Sequence, residues 1–99
     1  MLRRKIFKVT GKVIRYTVAP ASWYFIPIDT EMSAAIRMVR TKTVGFQFIP
    51  IEATVGRTTW RTTLFPTKAG QYLLALKAKV RQAESIREGV VLTVRLVLV

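Results

Sequence analysis

The chain has no cysteine and no histidine. Without cysteine there are no disulfides and no thiolate metal sites, and nothing points to an oxidising compartment. Without histidine the usual general base at neutral pH and the commonest metal ligand are both missing. Acid is scarce as well. Seventeen lysines and arginines face five carboxylates, for a net charge of +12. The carboxylates, Asp29, Glu31, Glu52, Glu84 and Glu88, are scattered. Asp29 and Glu31 come close in sequence, but they suit the positive end of a helix better than a catalytic pair. Gly45, Gly56 and Gly70 stand alone, so no G-x-x-x-x-G-K phosphate loop can be built from them. These absences argue against an enzyme, and no metal or cofactor is expected.

Long apolar runs are missing too. Residues 90–99, "VVLTVRLVLV", are interrupted by Arg95 and reach half the length of a membrane span. The opening "MLRRKIF" has the charge of a leader peptide, but Lys8, Lys12 and Arg15 break the apolar stretch that would have to follow. The expectation is a cytoplasmic protein with no membrane insertion.

What remains is a chain of 99 residues, 51% hydrophobic, enough for one domain with a small core. Its polar and apolar residues alternate with a period of two over much of the length, as in half-buried strands. Strands are expected over residues 5–16, 23–28, 44–55, 58–65, 71–76 and 90–99. Helices are expected over 31–39, opened by Thr30, and over 78–86, stopped by Gly89. Offset by 48 residues, Tyr24 falls on Tyr72, Ile26 on Leu74, Met32 on Val80, Phe46 on Val94 and Phe48 on Leu96. The order strand–strand–helix–strand therefore occurs twice, over roughly 5–52 and 53–99. The predicted fold is a single mainly β domain, a closed six-stranded barrel with two short helices and pseudo-two-fold symmetry, double-psi-like in order. Its expected core is Val9, Phe25, Ile36, Phe46, Phe48, Trp60, Leu64, Leu74, Val80, Val94 and Leu96, with Trp23 also mostly buried.

Three segments, "IPIEATVG" at 49–56, "TTWRTTLFP" at 58–66 and "YLLALKAKVRQAESIREG" at 72–89, together with "WYFIPI" at 23–28, resemble the bacterial and archaeal family catalogued as domain of unknown function 1905. The resemblance covers nearly the whole chain. It implies a small β-barrel with helices, which in relatives stands alone or is fused to a domain related to bacteriocin-protection proteins. It implies no activity. Relatives commonly carry Gly-Asp after the second helix, where this chain has Gly89–Val90.

The charge distribution is the clearest functional clue. Residues 1–28 hold Arg3, Arg4, Lys5, Lys8, Lys12 and Arg15 with no acid, and residues 53–83 hold Arg57, Arg61, Lys68, Lys77, Lys79 and Arg81 with no acid. Such a surface attracts polyanions. Around Trp60 the arginines interleave with Thr58, Thr59, Thr62 and Thr63, so cations and hydroxyls lie beside each other as phosphate recognition requires. The expected function is non-catalytic binding of DNA, RNA or another polyanion through Lys8, Lys12, Arg15, Arg57 and Arg61. The alternative is a structural or protein-interaction barrel, a homo-oligomer included, whose charge only keeps it soluble.

Overall fold

The computed structural model describes residues 6–39 and 48–99. Among these described residues, seven strands and two helices follow in the order β1 (Ile6–Lys12), β2 (Ile14–Val18), β3 (Ala21–Pro27), α1 (Thr30–Val39), β4 (Ile49–Val55), β5 (Thr58–Pro66), β6 (Tyr72–Ala75), α2 (Ala78–Ala83) and β7 (Val91–Leu98). They make one sheet in the order β1-β7-β4-β5-β6-β3-β2, and every pairing is antiparallel.

This corrects the expected closed, six-stranded, double-psi-like barrel. The sheet is an open half-barrel of seven strands, because the stretch expected as one strand over 5–16 is divided at Val13. Up to Lys12 it pairs with β7, from Ile6↔Val97 to Lys12↔Val91. The Val13 amide still donates to the Val90 carbonyl at 2.8 Å, and its carbonyl accepts from Gly89 N–H at 2.8 Å. Beyond it the chain changes partner and pairs with β3, from Ile14↔Phe25 to Val18↔Ala21. A single run of sequence thus supplies the strands at both ends of the sheet order. Alternation of side chains continues across the break and gives no sign of it.

The core lies on the inner face. Val9, Ile26, Ile51, Ala53, Trp60, Leu64, Leu74, Val94 and Leu96 project into it from the strands, and Ile36 and Val80 reach it from the two helices. Phe25 and Phe48 do not join them: Phe25 is half-buried and Phe48 is 53% exposed. The buried residues of β4 are Ile49, Ile51, Ala53 and Val55, so the inward positions are the odd ones and Phe48 falls on the other parity. Phe46 and the expected strand residues 44–47 lie outside the described residues.

Helix α1 is capped by Asp29 rather than by Thr30, since Asp29 Oδ1 accepts the Met32 amide at 2.7 Å. Ser33, fully buried, joins this helix to β6: its hydroxyl donates to the Ile28 carbonyl at 3.1 Å and accepts the Tyr72 amide at 3.0 Å. Helix α2 ends well before Gly89. Ser85 takes a left-handed conformation with φ 54°, and Ile86 N–H donates back to the Arg81 carbonyl at 2.9 Å, the closure that terminates helices when the next apolar residue folds inward. Ile86 is that buried residue. Gly89, with φ 90°, serves the following turn into β7.

Candidate nucleic-acid interface

The outer face of the sheet carries the alternate set of side chains. On β1 these are Ile6, Lys8, Thr10 and Lys12, and on β2 they are Ile14, Tyr16 and Val18; all seven are exposed. Lys8 stands directly opposite Arg95 of β7. Beside that pair, the hydroxyls of Thr10 and Thr93 are joined by a 2.9 Å hydrogen bond. Arg95 is also opposite Thr54 of β4, whose hydroxyl is 2.9 Å from that of Thr59 on β5. The row Lys8–Arg95–Thr54–Thr59 therefore crosses four strands with two cations at one end and two hydroxyls at the other. In the adjacent row Glu52 faces Arg61. Among the described strand residues on this face, Glu52 is the one acid, against Lys8, Lys12, Arg61 and Arg95.

The five basic residues singled out from the sequence are thus divided. Lys8, Lys12 and Arg61 share the outer face. Arg15 has the opposite parity: it lies across from Tyr24 and forms an ion pair with Glu88 at 3.4 Å, with both side chains about half exposed. Arg57 sits in the β4–β5 turn, next to Glu84, which accepts its amide at 3.3 Å and also the Thr58 hydroxyl. Arg95 was missed, because cross-strand register decides its place beside Lys8 and register is not written in local alternation.

The aromatics divide as well. Trp60 is buried, 8% exposed, and its indole N–H has no hydrogen-bond partner. Trp23 is 48% exposed, contrary to expectation. "WYFIPI" is apolar at every position, so nothing in it selects the inward face. The β2–β3 pairing puts Trp23 opposite Tyr16, itself 59% exposed, with ring centroids 6.4 Å apart and planes tilted by 34°. Elsewhere Phe65 meets Phe25 edge-on at 6.2 Å and Phe48 at 5.4 Å. An outward strip of aromatic rings results, on the same face as the cations.

Three of the other carboxylates serve the fold: Asp29 caps α1, Glu84 ties α2 to the β4–β5 turn and Glu88 meets Arg15. Among the described residues no three acids gather where they could hold a metal ion. No helix among them is long and apolar enough to cross a membrane. What the outer face offers is fixed positive charge, hydroxyl donors and exposed rings.

A small, mainly β domain with two helices is the class this architecture defines. The chain belongs to the family described as Domain of unknown function (DUF1905), whose model matches residues 3–96. No curated protein sequence matches it.

Proposed function

We propose that this is a non-catalytic binding domain whose outer face holds a nucleic acid or a similar polyanion. The observation that carries the reading is the Lys8–Arg95 pair. Like charges directly opposite each other in a sheet repel and destabilise it, and no carboxylate stands across from either one. A bound phosphate would relieve that repulsion. Thr10, Thr93, Thr54 and Thr59 supply hydroxyls alongside, and Lys12 extends the charge along β1. Arg61, across from Glu52, contributes less net charge. This reading leaves out Arg15, which has the opposite parity on β2, and Arg57, which sits in the β4–β5 turn and not on a strand of this face.

The same reading takes the two halves of the chain as structural copies. Its support is the spacing of the elements: β3 ends at Pro27 and β6 at Ala75, α1 begins at Thr30 and α2 at Ala78. The helices also make reciprocal contacts. Arg37 of α1 lies over the Tyr72 ring at 5.2 Å, and Arg81 of α2 over the Tyr24 ring at 3.8 Å.

Phosphate binding releases counterions, so affinity must fall linearly on a logarithmic salt scale. With about three phosphates engaged by Lys8, Lys12 and Arg95, the slope for an oligonucleotide should be about −2 to −3. Replacing Lys8 and Arg95 together by glutamine should reduce it by about one per contact removed. The pair Lys77→Gln and Lys79→Gln, at the start of α2, should leave it nearly unchanged. Equal losses from both pairs would assign the charge to solubility and favour the protein-interaction alternative, for which exposed Phe48 and Val18 speak.

A further inference from the structure

We infer that the nucleic acid is single-stranded, with an unpaired base stacking on the Tyr16–Trp23 pair; the inference rests on the polyanion reading and names its ligand. Aromatic side chains bury large areas when they have a partner. Here two cross-strand neighbours leave about half their surface in water. Neither ring is assigned to the core, and each faces outward from the sheet.

Their position ties them to the cations. Lys8, Lys12 and Tyr16 follow at four-residue intervals on the outward side of β1 and β2. At the rise of an extended strand each interval is about 13 Å, less where the chain bends at Val13. One row thus presents charge for a backbone and, further along, a ring for a base. That combination is how sequence-tolerant single-strand binders work. A duplex cannot use the ring, because its base faces are already stacked; it would gain from the charge alone. A second copy of this chain is a poor occupant of the same surface, since it would bring another +12 to a face already basic.

The test compares three ligands at physiological salt: a thymidine oligonucleotide of about 20 residues, the duplex with its complement, and inorganic polyphosphate. Affinity is read by competition against the labelled oligonucleotide or, for each ligand, by calorimetry. The parent should prefer the single strand. Tyr16→Ala and Trp23→Ala should each lower single-strand affinity by about 5- to 150-fold, the range of one lost stacking contact, and leave duplex and polyphosphate affinity unchanged. Tyr16→Phe and Trp23→Phe keep a ring and should retain most of the preference, which separates stacking from any loss of folding in the alanine variants. A parent that binds all three ligands without preferring the single strand overturns this inference and leaves the polyanion reading standing. So does an alanine variant that loses affinity equally for all three. Absence of binding to any of them overturns both.

Discussion

Leu74→Ala should lower the unfolding free energy by about 2–5 kcal/mol, the range for truncating a large aliphatic side chain in a packed interior. Leu74 is fully buried at the middle of β6, opposite Leu64 of β5 on one side and Ile26 of β3 on the other, and these two are also fully buried. Three branched side chains in one row leave little room for the neighbours to close a cavity. For a domain of this length even 2 kcal/mol corresponds to a fall in Tm of about 8–16 °C, and it is a large share of the 5–15 kcal/mol that domains usually have. Phe48→Ala is the matched comparison. Phe48 is 53% exposed and touches Phe65 by its edge, so its loss should cost at most about 1 kcal/mol. Thermal melts of the two variants check the assigned faces: equal losses would mean that the outer face at Phe48 is packed as tightly as the core.

Gly11→Ala should be destabilising by about 1–3 kcal/mol or more, in the manner of other small-to-large changes at tight contacts. β1 passes β3 closely here without pairing to it. A Cβ built on Gly11 would lie 2.6 Å from Ile26 Cγ2 and 2.9 Å from the Pro27 carbonyl oxygen. Ile26 is fully buried and cannot swing aside, and the carbonyl belongs to the backbone of β3. The methyl group would therefore push β1 away from β3 near the place where the run changes partner at Val13. The same argument gives the glycine its meaning: it lets β1, at one end of the sheet order, approach β3, the strand next to the other end. Denaturant titration of Gly11→Ala is the measurement, and a midpoint equal to that of the parent would contradict the close approach of the two strands.

Much of this architecture can be read from local pattern, and the exceptions share a cause. Alternation located β5, with Trp60 and Leu64 inward and Arg61 outward, because Trp60 and Leu64 share one parity and the strand's one charge lies between them on the other. Helix spacing located Ile36 and Val80 as the inward residues of α1 and α2. Alternation failed at Trp23 and Phe48, where apolar residues run consecutively and either face is compatible with the pattern. It also failed at Val13, because a change of pairing partner leaves the side-chain period intact. The charge surplus of the candidate site was visible in composition, but its geometry depended on register. Arg15 and Tyr16 are neighbours in sequence and lie on opposite faces. Lys8 and Arg95 are far apart in sequence and directly opposite in the sheet. Ser85, a non-glycine residue in a left-handed conformation, ended α2 before the glycine that composition would choose.

The two tryptophans provide the most direct test of where a polyanion binds. Trp23 is exposed on the outer face and Trp60 is buried on the inner one. In a nitrogen-15-labelled sample their indole N–H groups give separate NMR signals, assignable with Trp23→Phe. During titration with the thymidine oligonucleotide, the Trp23 indole signal should shift progressively and saturate together with the backbone amides of Lys8, Lys12 and Arg95, while the Trp60 signal stays in place. A Trp60 shift with Trp23 unmoved, accompanied by shifts around Arg57 and Arg15, would put the ligand on the opposite face and contradict the account.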